Sequence, residues 1–120
     1  MSSRRIEKVE RLIKEEISLI FLHKIQDAET GFITITRVKV SPDLKQAKVY
    51  FSVLEKEKRE LITDKINNKI GYIRAELAGR IRIKFTPELK FFIDDSLDYV
   101  EKIEELIEKI HGIDGNKEDN

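Results

Sequence analysis

The sequence predicts an α+β layer fold, with helices covering one face of a three-stranded sheet. Three observations carry this. Apolar residues recur at three- and four-residue steps near both ends and across the middle, which is the helical period. Two runs of alternating residues flank Ser41-Pro42-Asp43-Leu44, the pattern of an antiparallel hairpin. A third alternating run lies beyond a helical stretch long enough for a crossover, so part of the sheet is expected to be parallel.

Ile6, Val9, Ile13, Ile17, Ile20 and Phe21 form one stripe, widened by Leu12 and Leu19. They predict a helix from about Arg4 to Ile25, with Ser2 or Ser3 as its cap. Asp27-Ala28-Glu29-Thr30-Gly31 stops it. Phe32 to Val40 reads as a strand whose phase slips. Ile33 and Ile35 share one face while Val38 and Val40 share the other, which predicts a bulge near Thr36-Arg37. Along the next strand Ala47, Val49, Phe51 and Val53 face one way, and Lys48, Tyr50 and Ser52 the other.

Glu55 to Glu60 opens a second helix, with Leu61, Ile62, Ile66 and Ile70 as its stripe. Gly71 breaks that run, and Ile73, Leu77 and Ala78 continue it to Gly79, which suits a left-handed stop. Two short helices are thus expected to meet at a kink over Lys69, Ile70 and Gly71. Ile81, Ile83 and Phe85 alternate, but Pro87 interrupts, so the third strand is placed at Glu88 to Asp94. Asp94-Asp95-Ser96 caps a last helix, with Asp95 and Asp98 as a capping box. Tyr99, Val100, Ile103, Leu106, Ile107 and Ile110 are its inner stripe. Residues 1–95 are therefore read as one domain, 96–111 as an acidic helix packed on it, and 112–120 as a disordered tail. Among the few small folds with this order is the type II KH-like domain, an RNA-binding architecture.

The 120 residues hold 23 Lys and Arg against 23 Asp and Glu, a net charge of zero. That total argues against a nucleic-acid partner, but the distribution reverses the argument. Residues 1–90 carry a net +7 and residues 91–120 a net −7. The absence of Cys excludes disulfides, thiolate-held metals and a Cys nucleophile. No apolar stretch approaches the roughly 18 residues of a membrane span, and the start lacks an apolar signal core. A soluble cytoplasmic protein with no membrane partner is expected.

Little points to catalysis. Asp94, Asp95 and Asp98 can hold a hard cation, but a capped helix start accounts for them more simply. His23 and His111 sit near helix ends, where the dipole favours them, and neither has an evident acid–base partner. No phosphate-cradling loop, dinucleotide fingerprint or nucleophile–base constellation occurs. An enzyme, a cofactor, a metal and a small-molecule substrate are all unexpected.

The basic residues carry more. Arg80, Arg82 and Lys84 alternate with Ile81, Ile83 and Phe85, which in an extended segment puts three cations in one row. Lys69 and Arg74 flank the kink, Lys39, Lys45 and Lys48 lie on the hairpin, and Arg4 and Arg5 open the first helix. They read either as a solvated face or as a patch that tracks phosphates. Among the aromatics, Phe32, Phe51, Phe85 and Phe91 fall on the apolar parity and are expected in the core. Tyr50 and Phe92 fall on the opposite parity and can stack bases. Glu101, Glu104, Glu105 and Glu108 lie opposite the last stripe, either as a solvated face or as a screen that keeps RNA to one side.

Several segments together resemble the ribosome-binding factor A family. They are Arg5-Ile6-Glu7-Lys8-Val9, Asp27 four residues before Gly31, and Thr34 to Val40 followed by Ser41-Pro42-Asp43-Leu44. Ala47-Lys48-Val49-Tyr50, Gly71-Tyr72-Ile73-Arg74, Pro87-Glu88-Leu89-Lys90-Phe91 and Asp94-Asp95-Ser96 complete the series. The resemblance runs from about Arg4 to Ile107. It implies a type II KH-like fold that binds the free small ribosomal subunit and its rRNA, assists late maturation and rRNA processing, and matters in the cold. It implies an assembly factor and a monomer, not an enzyme. The family's kink carries an Ala-x-Gly signature. Here Gly71 fills the Gly position and Lys69 stands at the Ala position. The expected RNA contacts are Lys69, Arg74, Arg80, Arg82 and Lys84, then Lys39, Lys45 and Lys48, then Arg4 and Arg5. The rival reading is a small regulatory domain that pairs its sheet edge with a protein partner.

Overall fold

A computed structural model describes the backbone of residues 3–119 and the side chains of residues 4–111. The order is α1 (Ser3–Ile20), β1 (Ile33–Val40), β2 (Gln46–Val53), α2 (Arg59–Asn68), α3 (Ile70–Arg80), β3 (Glu88–Ile93) and α4 (Ser96–Asp119). A π-helical turn, Phe21–Ile25, extends α1, and a 3-10 turn, Lys56–Lys58, precedes α2. The cap expected at Ser2 or Ser3 lies outside the described residues and side chains.

The sheet is mixed, in the order β1-β2-β3. β1 and β2 are antiparallel, and β2 and β3 parallel. The phase slip in β1 is a bulge. Ile35 pairs with Phe51 and Arg37 with Tyr50, leaving Thr36 as the extra residue. That insertion turns Val38 and Val40 back to the face already held by Ile33 and Ile35, and all four are buried. Ala47, Val49, Phe51, Val53 and Leu89 complete the inner face of the sheet. Ile13, Ile17, Ile20, Phe21 and Ile25 cover it from the first helix, with Ile62, Ile66, Ile73 and Leu77 from α2 and α3.

A tight turn after α1 sets its angle. Asp27 Oδ1 accepts the amides of Glu29 and Thr30, each at 2.9 Å, and Gly31 takes a φ of 67°, which a side chain disfavours. Asp27 Oδ2 accepts Lys65 Nζ of α2 at 2.6 Å. The Lys65 hydrogen bond first, then the Thr30 amide, draw the Asp27 carboxyl down from 3.8 to about 2. A lowered folded pKa means that the unfolded chain takes up the proton first, so this contribution to stability is lost as pH falls from about 4 to about 2. Acid unfolding of Asp27→Asn is therefore expected to depend less on pH in that window. A curve parallel to the wild type contradicts this.

Five expectations are corrected. The helices break at Lys69, whose φ of −114° and ψ of 11° leave the helical basin. Gly71 lies inside the first turn of α3, because a glycine permits a break without forcing one. Gly79 is helical too; α3 runs on to Arg80, and Ile81 is extended. Residues 81–87 form no strand, as Pro87 indicated, but Phe85, expected in the core, is 72% exposed while Ile81 is buried. Phe32, also expected in the core, is 56% exposed. The last helix starts on Asp94 Oδ1, which accepts the Ser96 amide at 2.9 Å, while Asp98 turns to Arg59 instead of closing a box with Asp95.

The acidic helix is also not packed by its stripe. Tyr99, Val100, Ile103, Leu106, Ile107 and Ile110 are all exposed. Its first turns are held by side-chain ion pairs. Arg59 makes a two-pronged contact to Asp98 at 2.8 and 2.9 Å, and Lys56 reaches Glu101 at 2.7 Å. The Arg59 guanidinium holds the Asp98 carboxyl below its ordinary value. Backbone helix continues to Asp119, where a disordered tail from residue 112 is the sequence expectation.

Candidate nucleic-acid interface

The break at Lys69 opens a surface that the sequence only partly marks. The N-cap of α3, Lys69, makes no side-chain cap hydrogen bond at the positive end of the helix dipole. Gly71 sits there with open space where a Cβ would stand. One helical turn on, Arg74 reaches across to the segment before β3. Its Nη2 donates to the Thr86 carbonyl at 2.6 Å and its Nε to the Pro87 carbonyl at 3.1 Å. Those bonds fold residues 84–86 against α3. Gly71, Arg74, Ala75, Ala78, Lys84, Phe85 and Thr86 then line a shallow groove.

The groove brings together three residues chosen from the sequence, Gly71, Arg74 and Lys84, beside Lys69 at the break. Arg74 holds the wall and spends two of its donor groups there. Lys84 Nζ lies 5.6 Å from the centre of the Phe85 ring, and both side chains are exposed. Phe85 was missed as a surface residue because its parity matched Ile81 and Ile83. The neighbouring Pro87 was the signal against a strand. Arg82 is exposed on the same segment. Among the described residues no carboxylate lies within salt-bridge distance of Lys69, Arg82 or Lys84.

Arg80 is placed differently. It ends α3 and turns toward Glu16 of α1 at 3.5 Å and Glu76 at 3.8 Å. The single row of Arg80, Arg82 and Lys84 does not form, because Arg80 is helical. Lys39 and Lys48 pair across the hairpin on the sheet face away from the helices. Lys45 lies in the loop before β2, where its carbonyl accepts the Glu88 amide at 2.8 Å. Arg4 and Arg5 are exposed on the first turn of α1. The aspartates are divided, with Asp94 on the α4 start and Asp98 on Arg59.

Chemically, the groove and its rim offer an uncapped helix start, bare backbone at Gly71, the cations Lys84, Lys69 and Arg82, and an exposed ring. These are donors for phosphate and a surface for a base. Among the described residues no helix is long and apolar enough to cross a membrane.

Known proteins share both the sequence and the arrangement. The family model for ribosome-binding factor A matches residues 5–107. A Thermodesulfovibrio yellowstonii protein named ribosome-binding factor A is 43% identical over 107 residues, covering 89% of this chain and 91% of its own. The crystal structure of ribosome-binding factor A from Thermus thermophilus superposes with a TM-score of 0.65 at 20% identity, over 73% of this chain and 94% of that one. A Thermus thermophilus homology model of the same factor, fitted into a cryo-EM map of a 30S complex, superposes with a TM-score of 0.56 at 23% identity, over 75% of this chain and 91% of that one. With the model match spanning most of the sequence and the fold agreeing, the chain belongs to the ribosome-binding factor A family.

Proposed function

We propose that this chain binds the free small ribosomal subunit through its rRNA and assists late maturation and rRNA processing, including in the cold. It acts in the cytoplasm, as a monomer and as a binding factor, without catalysis of its own. The observation that carries this is the groove beside the α2–α3 break, lined by Lys84 and flanked by Lys69 and Arg82, three cations with no carboxylate within salt-bridge distance among the described residues. The Thermus thermophilus factor fitted into a 30S complex supports the same partner.

Protein pairing at the sheet edge is the weaker reading. β1 is an edge strand, and side chains already occupy both its ends. Ile33 N–H donates to Gln26 Oε1 at 3.0 Å and Val40 N–H to Glu10 Oε2 at 2.8 Å. The Thr36 bulge interrupts the edge between them, a device that discourages added strands.

Depleting the protein in cells grown in the cold is expected to leave small-subunit rRNA with unprocessed ends, restored by the wild-type chain. Normal rRNA ends after depletion contradict the maturation role.

A further inference from the structure

The groove leaves the open face of the sheet unassigned. That face is ordered in rows. Lys39 pairs with Lys48 and Lys48 with Lys90, and all three are exposed. In the next row Arg37 pairs with Tyr50 and Tyr50 with Phe92. The Arg37 guanidinium lies 4.4 Å from the centre of the Tyr50 ring. The Tyr50 and Phe92 rings are 5.6 Å apart, with 31° between their planes. Neighbouring strands lie about 4.8 Å apart and alternate residues about 7 Å apart. A row of cations therefore runs beside a row of flat groups, one strand repeat away.

One feature goes beyond what the fold needs. Like charges directly opposite each other across strands are destabilising, and here three lysines stand in register. Among the described residues none of Arg37, Lys39, Lys48 and Lys90 has a carboxylate within salt-bridge distance. The nearby carboxylates flank β3, Glu88 at its start opposite Gln46 and Asp94 just past its end, where it accepts a hydrogen bond from Thr36 Oγ1 at 2.6 Å. The bulge that returns Val38 and Val40 to the core also keeps Arg37 on the open face, over Tyr50; with Thr36 paired as an ordinary strand residue, Arg37 would point to the core. With the first turns of the acidic α4 tied to Arg59 and Lys56, Arg37, Lys39, Lys48 and Lys90 stay exposed.

We propose that the open face of the sheet binds unpaired RNA, with Lys39, Lys48 and Lys90 along the phosphates and Phe92, Tyr50 and the Arg37 plane against the bases. Cations alone would serve any polyanion. The flat groups select a partner with free base faces, which a duplex hides and an acidic peptide lacks. The proposal rests on RNA being the partner and specifies its form.

The test uses the full chain with Tyr72→Phe and Tyr99→Phe. The protein has three Tyr and no Trp, so its emission then reports Tyr50 alone. Oligouridine of about ten nucleotides, a site size within the usual range, is compared with an RNA duplex of the same length and with polyglutamate. Oligouridine is expected to quench Tyr50, and Phe92→Ala to weaken its binding about 10-fold. Phe92→Leu keeps an apolar side chain, removes the ring and is expected to match Phe92→Ala, with folding checked by circular dichroism. Lys48→Gln with Lys90→Gln is expected to reduce the salt slope by about 1.4. Equal quenching by duplex or polyglutamate, or unchanged affinity in both Phe92 variants, overturns the proposal. Wild-type protein that sediments with small subunits yet ignores oligouridine overturns this proposal alone. Protein that binds oligouridine with quenching but does not sediment overturns the ribosomal reading alone.

Discussion

Reversing Arg82 and Lys84 together to glutamate is expected to weaken binding to small subunits by about 100-fold while leaving the melting temperature nearly unchanged. Both side chains are exposed and have no carboxylate within salt-bridge distance among the described residues, so the fold loses little. A charge-assisted hydrogen bond contributes about 1.5 kcal/mol or more, and two of them make about 3 kcal/mol, which is roughly 100-fold. Introduced carboxylates beside phosphates add repulsion in the same direction. Arg80→Glu is the informative contrast. It places a third carboxylate next to Glu16 and Glu76, so its effect is expected mainly on stability. Sedimentation with small subunits and a thermal melt of each variant separate the two. Undiminished binding by the Arg82/Lys84 variant places the contact elsewhere.

Phe51→Ala is expected to cost about 3–5 kcal/mol, the usual range for removing a buried Phe. Phe51 is fully buried at the middle of the central strand, between Ile35 on β1 and Ile93 on β3 in register. Domains of this size hold only about 5–15 kcal/mol in total, so a large share is lost. Phe92, one step out of phase and 41% exposed on the other face, is the control. Its truncation is expected to cost much less. Urea unfolding of both variants checks the pair, and a loss under about 1 kcal/mol at Phe51 contradicts its place in the core.

The inward face of the sheet was legible because burial imposes alternation. Ile33 and Ile35 against Val38 and Val40 could share one core only if a residue were inserted, and Thr36 is that residue. The parallel pairing of β2 and β3 followed from the length of the two-helix connection. The same logic fails where alternation or periodicity has no partner. Ile81, Ile83 and Phe85 alternate without a strand beside them, and the pattern cannot show that Arg74 ties down this segment from 12 residues away. The α4 stripe has helical period, which reports amphipathicity and not what the stripe meets. Charge is equally blind to partners. Arg80 and Arg82 read alike in the sequence, yet among the described residues one faces two glutamates and the other has no carboxylate within salt-bridge distance. The kink falls at Lys69, the first of the three residues expected there, and the Lys69 backbone rather than Gly71 makes the break.

The central claim is that a locally basic surface on a chain of zero net charge binds small-subunit rRNA. It is tested most directly by sedimenting the full chain with purified free small subunits, and with whole ribosomes, across a salt series. The account predicts binding to free subunits that falls steeply as salt rises, as phosphate contacts require, with little retention on whole ribosomes. Binding that ignores salt, or no binding to free subunits at low salt, contradicts it.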